Sequence, residues 1–255
     1  MATYKKRGYK PKTKEEQVEV EIQEQDSTTA EVFNTLDESA SKSEEWVAKN
    51  QKAILGVIGV IAVGVLAYLA YVNFVQNPKI NDANNEMYYP QQYLDQALND
   101  ASANKDSLLT LALNGSEGKY GFLDIIEDYS GTPTANLANY SAGMAYLNLK
   151  NYQEAINHLE DFSTDNVTLG ALAKGGIGDA FMQLNQTEDA LDYYEKAIAQ
   201  GDNDFTTPRY LYKAGVAALE LGKKDKALKY FERVKNEFST SIEATTIDAF
   251  IGKAK

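Results

Sequence analysis

The apolar residues of this 255-residue sequence follow two different patterns. Residues 53–75 form an apolar run without Asp, Glu, Lys or Arg, and Asn73 is its one strongly polar residue. In residues 76–255 the apolar positions recur at helical spacing, and the alternation typical of strands is almost absent. The pattern predicts an all-α protein, in which a single transmembrane helix precedes a solenoid of antiparallel helical hairpins.

The apolar run is long enough to cross a bilayer. As a helix it would extend over ~34 Å, whereas the hydrocarbon core is ~30 Å thick. Trp46 precedes the run, and Tyr68, Tyr71 and Phe74 lie near its far end, where aromatic side chains favour the membrane interface. A buried core helix is seldom apolar on every face, and a cleaved signal peptide would begin much closer to the N-terminus. We therefore predict a transmembrane helix at residues 46–76, with residues 53–75 in the bilayer.

The charges that flank the span predict its orientation. Nine of the 25 basic residues precede the span, whereas the first bases after it are Lys79 and Lys105. Because positive flanks stay in the cytoplasm, the N-terminus is expected there and residues 76–255 on the other side of the membrane. Residues 76–255 hold 16 bases and 26 acids, a net charge of −10, so that an anionic bilayer surface attracts them little.

Residues 1–45 are predicted to be a disordered cytoplasmic tail. Residues 1–14 are basic and contain no acid, and residues 15–45 hold eleven acids and a single base. Few large apolar side chains precede Trp46, so the tail cannot bury enough surface to offset the entropy of ordering; helical structure is expected from about Ser39. One hypothesis is that the basic block contacts anionic lipid or ribosomal RNA through Lys5, Lys6, Arg7, Lys10, Lys12 and Lys14.

Composition narrows the classes of function. The net charge of −12 argues against bulk nucleic-acid binding, which needs a basic face. The chain has no Cys and one His, His158, which excludes thiolate metal sites and pairs of His ligands. The glycine-rich residues 114–121 lack the spacing of a phosphate loop, and Gly175-Gly176 lies in a predicted helix, where small residues serve packing. We expect neither catalysis nor a bound cofactor or metal, and we expect His158 to face solvent.

The second half of the chain contains three similar units. They are residues 143–162, 178–197 and 215–234. Each begins with Gly, has Ala twelve residues later and has a large side chain four residues after that. Small residues let two antiparallel helices approach closely, so Gly143 is expected to face Ala155, and each hairpin leaves an apolar face that the next one covers. The expected repeats span about residues 136–164, 171–200 and 208–238, with a capping helix at residues 241–255 and with packing contacts at Gly143, Ala155, Gly178, Ala190, Gly215 and Ala227.

These residues and spacings resemble the tetratricopeptide repeat, in which a small–aromatic–Ala–aromatic pattern recurs about every 34 residues. The offsets here are 35 and 37 residues, and Asn139, Lys174 and Leu211 occupy the position of the family's early Trp. The resemblance implies a concave groove, lined by the first helix of each unit, in which extended or helical peptides bind. It places on the groove side Tyr140, Met144, Asn148, Asp179, Gln183, Arg209, Tyr212, Val216 and Glu220.

The segment before the repeats is also predicted to be helical. Residues 81–102 are expected to form one amphipathic helix, with shorter helices at residues 108–113 and 121–129. Pro133 suits the first position of the following helix, and Thr132 suits its N-cap.

The whole layout is similar to that of the YfgM-type ancillary subunits of the bacterial SecYEG translocon. The similarity covers roughly residues 45–255 and is clearest at Gly121-Phe122, residues 129–138, Gly143 and Ala155-Ile156. It implies a single-pass protein of the bacterial inner membrane, whose periplasmic domain associates with the SecYEG channel and with periplasmic chaperones. We therefore expect an adaptor that holds chaperones or clients near the channel exit. The alternative is a scaffold subunit of another cell-envelope assembly or secretion complex.

Overall fold

The computed structural model describes the backbone of residues 28–255 and the side chains from residue 40 onwards. The described residues are almost entirely helical and contain no β-strand; Ser116 and Lys119 form an isolated bridge. The prediction of an all-α protein, with one long apolar helix before helical repeats, is confirmed. The chain divides into two compact units between Ala70 and Tyr71. The predicted basic block at residues 1–14 and the acidic residues up to 27 lie outside the described residues.

Helix α1 (Thr28–Tyr71) makes up the described part of the first unit. It begins well before Ser39, so residues 28–45 are helical where the sequence analysis expected a largely disordered tail. Alanine and glutamate, which recur in this segment, are good helix formers. A long helix can therefore continue through a polar segment that has little apolar surface to bury.

The apolar part of α1 has the properties of a membrane anchor. It is the one helix in the described chain that is long and apolar enough to cross a membrane, and none of its most apolar window is buried. Val60 and Val63, for example, are 74% and 67% exposed. Exposed apolar side chains of this kind are stable in contact with lipid, whereas their exposure to water is unfavourable.

The second unit is a succession of shorter helices. A π-helical turn at Val72–Gln76 is followed by α2 (Asn77–Glu86), α3 (Tyr88–Asn99), α4 (Lys105–Asn114), α5 (Phe122–Asp128), α6 (Pro133–Asn148), α7 (Tyr152–Asp161), α8 (Val167–Gln183), α9 (Thr187–Ile198), α10 (Thr207–Glu220) and α11 (Lys224–Glu237), and then by a 3-10 turn at Glu243–Thr246 and by α12 (Ile247–Ala254). Helices α6 and α7, α8 and α9, and α10 and α11 pair as hairpins, and each hairpin packs on the next.

The three hairpins turn in the same way. Lys150, Asn185 and Gly222 have φ angles of 63°, 59° and 71°, and each lies seven residues after the first Gly of its unit. In the first hairpin the N–H of Asn151 donates to the carbonyl of Tyr146 at 2.9 Å, and the other two hairpins repeat this bond. A left-handed residue followed by such a bond ends a helix and satisfies one of its free carbonyls.

The first Gly of each unit lies beneath a large side chain sixteen residues later. A Cβ at Gly178 would lie 2.6 Å from Cε1 of Tyr194, and a Cβ at Gly143 would lie 2.5 Å from Cγ of Leu159. The sequence analysis expected Gly143 to face Ala155; in the structure the carbonyl of Ala155 is 3.2 Å from that Cβ position, farther than Leu159. The helices can therefore approach closely because glycine has no side chain and leaves room for the large side chain of the facing helix.

The predicted packing alanines are completely buried. Ala155, Ala190 and Ala227 are all 0% exposed, and the three glycines are buried with them. The two residue types thus occupy the interior of the same hairpin, although the large side chain and not the alanine contacts the glycine most closely.

The segment before the repeats differs from the expected single helix at residues 81–102. It forms two helices, α2 and α3, which meet at Met87. Pro90 accounts for the break, because proline has no N–H and its ring clashes with the carbonyl four residues earlier, at Glu86. Farther along, Thr132 and Pro133 begin α6 as predicted, and Thr132 Oγ1 accepts a hydrogen bond from the N–H of Ala135 at 3.1 Å.

Tyrosines on the second helices link successive hairpins. Tyr193 donates a hydrogen bond to Glu160 of the hairpin before it, and Tyr230 donates to Glu195 in the same way. The tyrosines lie fifteen residues after the first Gly of their units, and the acceptors lie seventeen residues after it. We call these two bonds the tyrosine ladder. Burial and the bond to Glu160 raise the pKa of Tyr193 to about 12, and burial with the bond to Glu195 raises the pKa of Tyr230.

The tyrosine ladder predicts that the repeats lose stability at alkaline pH. An unfolded tyrosine ionises near pH 10, whereas folded Tyr193 keeps its proton to about pH 12. The stabilisation is therefore complete below about pH 10 and is lost as the pH rises through the folded pKa. Circular dichroism melts between about pH 8 and pH 12 should show a shallower decline for Tyr193→Phe. Tyr88→Phe, at a ring that is 64% exposed and outside the ladder, should decline like the wild type, and equal declines for both variants would contradict the prediction.

Candidate protein-binding grooves

An open groove runs across the first helices of the three hairpins. Its volume is about 660 Å³, and we call it the repeat groove. Six of the nine residues that the sequence analysis placed on a groove line it: Met144, Asn148, Asp179, Gln183, Tyr212 and Val216. They come from α6, α8 and α10, so the structure brings together one face of three successive helices.

The other three predicted groove residues lie elsewhere. Tyr140 lines a different groove, nearer the start of α6. Arg209 lies in the first turn of α10, where its guanidinium is 5.2 Å from the centre of the Phe205 ring. Glu220 is exposed at the last position of α10 and does not line the repeat groove.

Six further residues line the repeat groove and were missed from the sequence: Leu147, Lys150, Tyr152, Met182, Tyr194 and Lys213. Tyr152 and Tyr194 belong to the second helices α7 and α9, whereas the prediction considered only first helices. Lys213 and Met182 each neighbour a residue that was predicted, Tyr212 and Gln183. For Lys213 and Met182, adjacency to a predicted groove residue was the signal that the sequence offered.

An ion pair between two hairpins occupies the middle of the repeat groove. Lys213 Nζ lies 2.6 Å from both carboxylate oxygens of Asp179, and the hydroxyl of Tyr194 donates to Asp179 Oδ1 at 2.7 Å. Burial, followed by the charge of Asp179, raises the pKa of Tyr194 well above its ordinary value. The side chains of Lys213 and Asp179 are 32% and 39% exposed, so that the pair contributes at most about 1 kcal/mol to stability. Its main effect is to hold the two side chains in place and to leave the middle of the groove with no net charge.

The walls around this pair are apolar. Met144 and Leu147 of α6 face the groove with Met182 of α8 and Val216 of α10. Methionine is flexible enough to pack against side chains of different shape. A neutral centre between such walls suits a peptide that inserts apolar side chains, with little selection for its charge.

A second groove lies between the paired helices α2 and α3 and helix α6. Its volume is about 1170 Å³, and we call it the N-terminal groove. Tyr140 and Leu137 of α6 line it, together with Tyr88 and Met87 from the junction of α2 and α3. The sequence analysis missed this groove because it expected a single straight helix at residues 81–102.

The single histidine packs within the first hairpin. His158 was expected to face solvent, but its side chain is half-buried, and its ring stacks on Tyr146 with 5.4 Å between the ring centres. His158 Nδ1 lies 2.9 Å from Asn139 Oδ1. Burial lowers the pKa of His158, against a smaller opposite effect of Glu154 and Asp161. The expectation of a solvent-facing histidine was therefore wrong, because Tyr146 and Asn139 of α6 cover the ring.

The comparison with protein families decides what kind of array this is. The model of the tetratricopeptide repeat matches residues 140–205 and, a second time, residues 176–241. The two matched stretches begin within α6, end shortly after α11 and include all the residues that line the repeat groove. Residues 140–241 of this chain are tetratricopeptide repeats.

Comparisons with whole proteins add little to this. A structure titled "Crystal structure of MamA" is 21% identical, covers 52% of this chain and 86% of its own, and has a TM-score of 0.37. A second, "Crystal structure of MamA protein", is 17% identical, covers 68% of this chain and 89% of its own, and has a TM-score of 0.41. A search of curated proteins found no match.

The tetratricopeptide repeats of this chain show how the family's missing tryptophan is replaced. At its position Asn139 binds His158, Lys174 is half-buried, and Leu211 is 1% exposed in the core. The three equivalent positions are therefore occupied by side chains of different chemistry and different burial. Tetratricopeptide arrays present extended concave surfaces to protein partners, and the chain is accordingly a protein–protein interaction adaptor.

Proposed function

We propose that this protein is a membrane-anchored adaptor of the bacterial Sec translocon, whose repeat groove holds a segment of a chaperone or client near the channel exit. The observation that carries the binding part is the repeat groove itself, in which apolar walls from three tetratricopeptide hairpins surround a neutral ion pair. A groove of this composition binds through inserted apolar side chains while polar groups orient the backbone.

The cellular setting rests on the sequence. The bias of basic residues before the span favours a cytoplasmic N-terminus and a periplasmic repeat domain in the inner membrane. The similarity to YfgM-type translocon subunits supplies the SecYEG channel and periplasmic chaperones as partners. Several residues that carry this similarity have structural roles: Phe122 is fully buried and Thr132 caps α6. These residues therefore support a shared fold, and co-purification identifies the partner.

Purification of the full chain in mild detergent, with a tag at Lys255, tests the partner. Recovery of the channel subunits supports the proposal. Recovery of a different partner in stoichiometric amount rejects it and favours a scaffold of another envelope assembly or secretion complex. Protease treatment of spheroplasts tests the orientation: residues 76–255 should be digested, and their protection would show that the predicted topology is wrong.

A charge placed in the repeat groove should weaken capture of the partner. Gln183 is exposed and lines the groove, and an arginine there would add a second cation beside the Asp179–Lys213 pair and the apolar wall. Gln183→Arg should reduce the co-purified partner about tenfold, since one lost anchor contact costs ~1–2 kcal/mol. Gln186→Arg is the matched control, because Gln186 is exposed three residues later and does not line the groove. Equal recovery with both variants would place the partner's binding site elsewhere.

The basic block at residues 1–14 is proposed to contact anionic lipid or ribosomal RNA on the cytoplasmic side. Its six bases and lack of acids are suited to polyanions, and such contacts weaken steeply with salt. A chain that lacks residues 1–14 should lose salt-sensitive association with ribosomes or anionic vesicles. Unchanged association with both would reject this part of the proposal.

A further inference from the structure

The N-terminal groove differs in charge from the repeat groove. Asp95 and Asp100 lie along it, and among the described residues that line it none is basic. The repeat groove, in contrast, includes Lys150 and Lys213. Two hydrogen bonds from Ser102, from Oγ at 2.6 Å and from the N–H at 2.9 Å, lower the pKa of Asp100 and keep its carboxylate ionised. The field along the N-terminal groove therefore attracts cations.

A row of amide side chains follows one edge of this groove. Gln92, Gln96 and Asn99 are exposed on α3 at positions i, i+4 and i+7, which share one face of a helix. Within the described part of the chain, none of their side chains forms a hydrogen bond. A carboxamide both donates and accepts, so the row offers partners to N–H and C=O groups alike. It is ~10 Å long, about the length of three residues of extended chain.

The amide row favours an extended ligand over a helical one. A helix satisfies most of its backbone groups internally, whereas an extended segment presents free N–H and C=O groups along its length. Asn84 and Gln91, which also line the groove, are already engaged: Asn84 accepts from Thr134 and Gln91 donates to Asp95. The lining amides without a hydrogen bond among the described residues are thus the three on one face of α3.

Apolar side chains also line the groove: Leu137 lies across from the amide row on α6, and Tyr88 lies one helical turn before Gln92 on α3. Leu137 of α6 is 41% exposed and Tyr88 is 64% exposed, and both line the groove. Apolar surface of this kind beside a row of amides matches a strand-like segment, whose side chains point alternately towards the apolar wall and towards solvent.

We propose that the N-terminal groove binds an extended, positively charged segment of a partner protein, with its backbone along the amide row of α3 and its basic side chains near Asp95 and Asp100. This is a second site, separate from the repeat groove, and its existence does not depend on the Sec assignment. Together the two grooves would allow the protein to hold two segments, selecting one of them by charge.

Peptide binding to the full chain in nanodiscs of zwitterionic lipid tests the proposal. The probe is a short fluorescein-labelled peptide of valine, threonine and two lysines, and binding is followed by fluorescence anisotropy after subtraction of empty nanodiscs. A peptide with two glutamates in place of the lysines tests charge, and a peptide with alternate N-methylated amides tests the backbone contacts. The lysine peptide should bind at least about tenfold more tightly than either, because the others lose the charge attraction or the hydrogen bonds.

Variants locate the site. Asp95→Lys should weaken binding of the lysine peptide about tenfold and should improve binding of the glutamate peptide, since Asp95 is exposed and its charge is reversed. Leu137→Gln, which removes the apolar contact without adding a charge, should weaken both peptides. The control is Glu232→Lys, a reversal of an acid that is also exposed, on α11 and far from the groove in sequence. All variants are checked for unchanged helical content by circular dichroism.

Three outcomes would contradict the proposal. Unchanged binding in both Asp95→Lys and Leu137→Gln, with loss of binding in Gln183→Arg, would place the peptide in the repeat groove and overturn the proposal while leaving the proposed function intact. Equal affinity for the lysine and glutamate peptides would contradict selection by charge. Full binding of the N-methylated peptide would contradict the role of the amide row.

Discussion

Gly215→Ala is expected to reduce the free energy of unfolding by about 1–3 kcal/mol, and to reduce it far less when Phe231 is also alanine. A Cβ at Gly215 would lie 2.6 Å from Cζ of Phe231, whose side chain is fully buried. Phe231 cannot move away easily, because its ring packs at 5.5 Å from that of Phe250 and at 6.3 Å from that of Tyr212. In the double variant the added methyl group would instead enter the cavity that the missing ring leaves.

A double-mutant cycle measured by urea unfolding checks this result. Phe231→Ala alone should cost about 3–5 kcal/mol, as deletion of a buried aromatic ring usually does. The sum of the losses in the two single variants should then exceed the loss in the double variant by a coupling energy of about 1–3 kcal/mol. Strict additivity would mean that the glycine and the ring do not determine each other, and our explanation of the repeat pattern would be wrong.

Gly175→Ala is expected to destabilise the repeats through a contact between hairpins. A Cβ at Gly175 of α8 would overlap the ring of Tyr210 of α10, which is 3% exposed. Because Tyr210 also stacks near Tyr194, with 6.2 Å between ring centres, displacement of its ring would disturb the floor beneath the repeat groove. We expect a loss of about 1–3 kcal/mol in the free energy of unfolding, together with weaker binding in the repeat groove.

Gly252→Ala is the matched control for this variant. Gly252 also lies within a helix, α12, but its Cβ position has no heavy atom within 4 Å. Alanine should therefore be neutral there or stabilise by up to about 1 kcal/mol, which is the usual gain when glycine is replaced in a helix. A loss at Gly252 as large as that at Gly175 would show that helix propensity, and not the contact with Tyr210, explains the effect.

The fold was predictable where one physical requirement controls a long stretch of sequence. A helix that spans a bilayer requires about twenty apolar residues in succession, so the apolar run at residues 53–75 predicts such a helix. Close approach of two helices requires small residues at fixed intervals, which is why Gly143, Gly178 and Gly215 mark the hairpins. In both cases the signal is a spacing that few other structures would produce.

The candidate sites were harder to predict because they depend on packing between hairpins. Tyr152 and Tyr194 reach the repeat groove from second helices, and their side-chain directions follow from how the hairpins stack. The N-terminal groove depends on the interruption of the helix at Met87. Because the sequence analysis did not take account of Pro90, it missed the groove as well. His158 was misplaced for a similar reason, since a polar residue on a second helix was assumed to face solvent although Tyr146 covers it.

The tyrosine ladder has a consequence for how such an array can grow. Glu232 occupies in the third hairpin the position that Glu160 and Glu195 hold in the first two, and it is exposed. Helix α12 contains no tyrosine, and it is joined to α11 by the ion pair of Lys235 and Asp248, 2.7 Å apart. A duplicated hairpin inserted between α11 and α12 would thus bring a tyrosine to an acceptor that is already present. Lengthening by duplication would need no compensating substitution at this joint, which makes the number of hairpins a quantity that evolution, or a designer, can change one unit at a time.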